Sequence, residues 1–153
     1  MRILVADDDA ELRELMVEFL TDEGHDITDV STPHEALSLA QAQRWDLFLV
    51  DTLGQADHGP SGQCTDFVQA LASHAPVILC TARSWARDLD PHVVGAVAIV
   101  CKPFDLDALI ETVKTVGTAA AADRQLSVVP EQPEKGPCSP ELTPETWGRC
   151  QRP

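Results

Sequence analysis

Basic residues are scarce in this chain. Against 25 Asp and Glu there are only 11 Lys and Arg among 153 residues, a formal net charge of −14. Binding to a phosphate backbone needs a basic footprint, so direct nucleic-acid binding is not expected. Cations and basic protein surfaces remain suitable partners. Long apolar runs are also lacking. The longest, residues 93–101, falls far short of the roughly 20 residues of a spanning helix, so no membrane insertion is expected. The opening run Ile3-Leu4-Val5-Ala6 ends in three aspartates, unlike a signal peptide. Disulfide and zinc signatures are missing too. Cys64, Cys80, Cys101, Cys138 and Cys150 make an odd, scattered set without a CxxC pair. They read as free thiols in a reducing, cytoplasmic compartment. His25, His34, His58, His74 and His92 show no metal spacing and read as solvated. There is no internal repeat.

The length suits one domain, and a hydrophobic share of 44% is enough to fill one core. Composition changes near residue 117. Residues 1–117 hold 7 basic and 20 acidic side chains, net −13, while residues 118–153 hold 4 and 5, net −1. The second segment also carries 6 of the 11 prolines and the alanine run 119–122. It reads as a Pro-rich, disordered tail after a domain of residues 1–117, too poor in apolar periodicity for an output domain.

Strand and helix signals alternate through the first 117 residues. Residues 2–6 form an apolar run of strand length. A helical stripe follows at Leu12, Leu15, Met16, Phe19 and Leu20. Asp9 is placed to cap that helix and Gly24 to end it. Residues 26–30 make a weak strand. Ser31 or Thr32 can cap the next helix, with Pro33 in its first turn and Ala36, Leu37 and Ala40 facing inward. Residues 47–50 are a fully apolar strand ending at Asp51. A glycine-containing loop precedes a helix over about residues 63–73. Residues 76–80 and 96–101 are the fourth and fifth strands, and a last helix begins near Asp105. Trp45 and Trp85 lie where helices meet strands and read as packing. The alternation predicts an α/β fold, a doubly wound five-stranded parallel sheet with helices on both faces.

In such a sheet the ligand crevice lies beyond the carboxyl ends of the strands. Those ends are Asp7, Asp8 and Asp9 after the first strand, Asp51 after the third, Thr81 after the fourth and Lys102 after the fifth. Asp7–Asp9 alone would read equally well as a solvated helix cap. With Asp51 beside them the carboxylates repel one another, and a bound cation removes the conflict. An all-oxygen ligand set with room for water suits Mg²⁺. A hydroxyl, an ammonium and a metal around a carboxylate form a site for a phosphoryl group.

Four ordered motifs carry a resemblance. They are Ile3-Leu4-Val5-Ala6-Asp7-Asp8, Asp46-Leu47-Phe48-Leu49-Val50-Asp51, Val77-Ile78-Leu79-Cys80-Thr81-Ala82 and Cys101-Lys102-Pro103-Phe104. Together they resemble the receiver domain of bacterial two-component response regulators, of the stand-alone chemotaxis type, over residues 1 to about 117. The resemblance implies a flavodoxin-like sheet of order 2-1-3-4-5. It implies that Asp51 accepts a phosphoryl group from a sensor histidine kinase or a histidine phosphotransfer protein. Asp8 would ligate Mg²⁺ directly and Asp7 mostly through water, with Asp51 and the backbone carbonyl of Leu53 completing the protein's ligands. Thr81 and Lys102 would hold phosphoryl oxygens, small Ala82 would leave room, and the Lys102–Pro103 peptide would be cis. Such a protein catalyses its own Mg²⁺-dependent phosphorylation and dephosphorylation and is not an enzyme in the conventional sense.

The chain departs from the family pattern at three places. The family places a proline four residues after the phosphoacceptor and a glycine four further on, whereas here Pro60 and Gly62 follow Asp51 by nine and eleven. Ile99 replaces the usual aromatic of the fifth strand. Pro91 predicts a short or broken fourth helix. The expected function is a stand-alone phosphoaspartate switch of a two-component system or phosphorelay. The rivals are a pseudo-receiver serving as a phosphorylation-independent interaction module and a phosphate sink.

Overall fold

Four consecutive apolar residues with no helix cap among them make Arg2–Ala6 the first strand, β1. In the computed structural model, which describes residues 1–51 and 62–126, every side chain of β1 after Arg2 is buried. Asp9 then starts helix α1, Ala10–Asp22, its carboxylate accepting from the backbone N–H of Glu11 and Leu12. After Gly24, at φ +83°, the chain enters β2, Asp26–Val30. Of the two candidate caps, Thr32 begins α2, Pro33–Ala42. Its Oγ1 accepts from the N–H of Glu35, capping the helix, and donates to that residue's carboxylate. β3 is Leu47–Asp51, α3 is Gly62–Ala72 and β4 is Val77–Thr81. A 3-10 turn over Ser84–Asp88 and the four-residue α4, Pro91–Val94, lead to β5, Ala98–Cys101, and α5, Leu106–Leu126.

All strands are parallel, in the order β2-β1-β3-β4-β5. Alternation sends successive side chains to opposite faces. Leu4, Ala6, Phe48, Val50, Val77 and Leu79 pack under α2, α3 and α4. Ile3, Val5, Leu47, Leu49, Ile78 and Cys80 pack under α1 and α5, against Met16, Leu20, Leu109 and Val113. Each fully buried Leu, Ile or Phe contributes about 1.5–3 kcal/mol, which is why the near-continuous apolar strands take the middle of the sheet. The polar-interrupted β2 takes one edge, and the four-residue, half-buried β5 takes the other.

The structure refines several expectations. Pro91 does not break a helix. It opens one, at the first turn where its missing N–H costs nothing, with Asp90 capping His92. Gly95, at φ +84°, closes the same helix. Its N–H and that of Ala96 reach back to His92 and Pro91, so β5 begins at Ala98 and not at 96. The stripe on α1 is wider than its contact, and Leu15 and Phe19 stay 39% and 38% exposed. α5 runs through residue 117 to Leu126, since alanine carries the lowest helix cost of any residue. Gly117 lies inside that helix, where a Cβ would collide with the side chain of Met1. His25 is half-buried, contrary to its solvated reading, and among the described residues its Nε2 has no hydrogen-bond partner. Cys64 and Cys80 are buried free thiols, and Cys101 is half-buried. Register places Cys80 beside Val100 and Cys101 beside Thr81, so the two cysteines take opposite faces of the sheet. Trp45 is packing, as expected, with its Nε1 donating to the Leu39 carbonyl at 3.0 Å. Among the described residues no helix is long and apolar enough to cross a membrane.

Candidate functional site

The carboxyl ends of β1, β3 and β5 bring Asp7, Asp51 and Lys102 together. Asp7 is fully buried, and its carboxylate is held at both oxygens. Oδ1 accepts from the N–H of Asp9 at 2.9 Å and Oδ2 from Lys102 Nζ at 2.7 Å. The same ammonium reaches Asp51 Oδ2 at 3.1 Å. Asp8 is exposed, and among the described residues its carboxylate has no hydrogen-bond partner. Carboxylate oxygens of Asp7, Asp8 and Asp51 nevertheless lie within 4.8 Å of one another.

Lys102 is placed by its own backbone, whose N–H donates to the Thr81 carbonyl at 2.7 Å. The following Lys102–Pro103 peptide is cis. Thr81, buried at the end of β4, turns its hydroxyl to its own chain, where it accepts from the N–H of Arg83 at 3.2 Å. Leu53, His58 and the rest of the long loop fall in residues 52–61, outside the described residues.

Among the described residues, one ammonium faces three carboxylates at this edge. Burial pushes the Asp7 carboxyl above its ordinary value, and the hydrogen bond and charge of Lys102 only partly offset this. The neighbouring Asp51 charge adds to the rise. Burial pulls Lys102 the other way. The hydrogen bonds and charges of Asp7 and Asp51 outweigh it, so the ammonium is held more firmly than usual. A divalent cation would remove the remaining conflict. The donor set is oxygen only, one carboxylate is unpartnered, and the cluster is open on the Asp8 side, all of which fits Mg²⁺. Beside the site lies a recess of about 470 Å³, lined by Leu12 and Leu15 of α1 and by Ala82, Lys102, Pro103 and Phe104.

This arrangement has close parallels. Residues 3–114 match the response regulator receiver domain. The chain belongs to that family. It is 32% identical over 118 residues to the transcriptional regulatory protein PdtaR of Mycobacterium tuberculosis, covering 74% of this chain and 55% of that protein. It is 33% identical over 113 residues to the two-component response regulator PhoP of Pseudomonas aeruginosa, covering 71% and 48%. It therefore spans about half the length of the curated relatives it matches. Among solved structures, the response regulator TrrA of Thermotoga maritima, in complex with Mg²⁺-BeF, is 34% identical at a TM-score of 0.60. The match covers 75% of this chain and 97% of TrrA. The chemotaxis response regulator CheY4 of Vibrio cholerae is 25% identical at a TM-score of 0.61, with the same coverage. The fold is thus the CheY-like, flavodoxin-like one, and the chain is a receiver domain of two-component signalling.

One contributor to the receiver site escapes strand-end logic. Arg13, on α1, donates from Nη1 to the Asp7 carbonyl at 2.7 Å and from Nε to Asp29 Oδ2 at 2.9 Å. Its sequence signal is weak: a lone basic residue one turn into a helix that follows three aspartates, in a chain with few basic residues.

Proposed function

We propose that this receiver is a phosphoaspartate switch in which Asp51 accepts a phosphoryl group from a phosphohistidine on a sensor kinase or histidine phosphotransfer protein. The observation that carries this reading is the ammonium of Lys102 spanning Asp7 and Asp51 in a three-carboxylate cluster. In the transfer, a carboxylate oxygen of Asp51 forms a bond to phosphorus as the phosphorus–nitrogen bond breaks, and the imidazole leaves with the electron pair. Asp7, Asp8 and Asp51 would hold Mg²⁺, which supplies positive charge to the transferring oxygens. The Leu53 carbonyl is assigned to the same ligand set. Asp7, with both oxygens already engaged, suits an indirect role, and the unpartnered Asp8 a direct one. Lys102 stays protonated and can turn from Asp51 toward a phosphoryl oxygen. The Thr81 hydroxyl donates to another, and the exposed Ala82 leaves that side open. A cytoplasmic setting and the absence of direct nucleic-acid contact by this domain complete the reading.

Incubation with acetyl phosphate and Mg²⁺, followed by intact-mass measurement, tests it. The wild type should gain one phosphoryl group, and Asp51→Asn should gain none. Neither should gain any with Mg²⁺ chelated. An unchanged wild-type mass under conditions where Mg²⁺ binds would support the interaction-module reading instead.

A further inference from the structure

Asp7 is fixed at four polar points. Its carboxylate oxygens are held by Lys102 and the Asp9 N–H, its own N–H donates to the Val30 carbonyl at 3.2 Å, and its carbonyl accepts from Arg13. The fourth point bears directly on Asp8. The Asp7 carbonyl belongs to the peptide that joins Asp7 to Asp8, and peptide groups are planar, so holding this oxygen sets the plane from which Asp8 departs. Among the described residues nothing else holds the Asp8 side chain. Arg13 is itself held. Its Nε–H bonds Asp29, which stands opposite Val5 in the β1–β2 register, and its side chain is only 16% exposed. The planar guanidinium fork thus joins α1, the end of β1 and the end of β2 through two donors of fixed relative geometry.

We propose that Arg13 is a positioning residue of the cation site, setting through the Asp7–Asp8 peptide where the Asp8 carboxylate stands. The inference rests on the cation reading given above. It has a distinctive sign. A positive charge beside a cation site weakens binding by repulsion, so an Arg13 that acted only as a charge would tighten Mg²⁺ binding when removed. A positioning Arg13 loosens it when removed, because partners that orient metal ligands typically contribute about tenfold or more to affinity.

The test is calorimetric titration of Mg²⁺ into the full chain, with melting temperature measured on the same samples without Mg²⁺. Arg13→Met keeps the aliphatic stem and should weaken Mg²⁺ binding about tenfold despite the lost positive charge. Arg13→Lys keeps the charge but cannot present two fixed donors, and should weaken binding in the same direction. Tighter or unchanged binding by Arg13→Met would overturn the proposal, whatever happens to its melting temperature. If that variant does not fold, Arg13→Lys decides alone, and wild-type affinity there overturns it. A wild type that binds no Mg²⁺ would instead remove the cation reading itself, and this inference with it.

Discussion

His25 shows how one buried atom makes a residue sensitive to pH. It follows Gly24 in the turn between α1 and β2, and its Nε2 is shielded from water without a partner among the described residues. Burial lowers its pKa first, and the positive charges of the Met1 amine and Lys114 lower it further, against a smaller upward pull from Glu23. The unfolded chain therefore binds a proton at His25 more readily than the folded one. The sign follows by linkage: this contribution to stability is present above about pH 6.5 and is lost as pH falls below it toward the folded value. Relative to His25→Phe, which buries no unpaired nitrogen, the wild-type urea midpoint should fall on acidification from pH 8 to 5. Parallel curves for the two proteins would show that His25 titrates as it does in solution. The sequence offers no warning of this, because burial of a turn residue depends on the elements that pack around it and not on its neighbours along the chain. The strand-end residues Asp7, Asp51 and Lys102 were legible for the opposite reason. Each follows a continuous apolar strand, and a parallel sheet gathers such positions at one edge.

Among the described elements, those between β4 and β5 are short. They are a five-residue 3-10 turn and the four-residue α4, both too short to be stable without packing. Trp85 packs there against the core beneath α3 and α4, and among the described residues its buried Nε1–H has no acceptor. The segment is tied to Thr81 through the Arg83 N–H, so a Thr81 hydroxyl drawn toward a phosphoryl group pulls on it directly. Ile99 shares that core cluster, and its branched side chain is stiff about the first torsion. Beryllofluoride with Mg²⁺ should therefore alter amide exchange most in residues 82–94 and less in residues 98–100. The largest change centred on Ile99 would refute this placement of the switch. Pro91 and Ile99 made the region visible in sequence as a departure from the family pattern. The hydrogen bond from Arg83 to Thr81 was not visible, since it depends on how the chain turns after β4. The continuation of α5 past residue 117 is hidden in the sequence because the alanine run adjoins the Pro-rich segment, although alanine favours helix strongly.

At the scale of the whole molecule, acid dominates. With net −14 overall and three carboxylates meeting at one edge, folding brings like charges together and holds Asp7 above its ordinary pKa. A raised carboxyl pKa means that ionising Asp7 in the folded state opposes stability, and this penalty grows as pH rises past its usual range. Mg²⁺ should offset that penalty in two separable ways. Screening acts on all charges and follows ionic strength. Site binding acts only on the folded chain and adds about 2.7 kcal/mol when Mg²⁺ is a hundredfold above its dissociation constant. For a chain of this size that corresponds to a rise in melting temperature of about 5–10 °C. NaCl at matched ionic strength should give a smaller rise. Asp8→Ala removes the unpartnered carboxylate of the cluster while leaving the Asp7–Lys102–Asp51 contacts in place, so it should keep the NaCl effect and lose most of the additional Mg²⁺ effect. Equal rises in MgCl₂ and NaCl for the wild type would mean that the carboxylates form only a diffuse acidic edge, and the cation would drop out of the proposed chemistry.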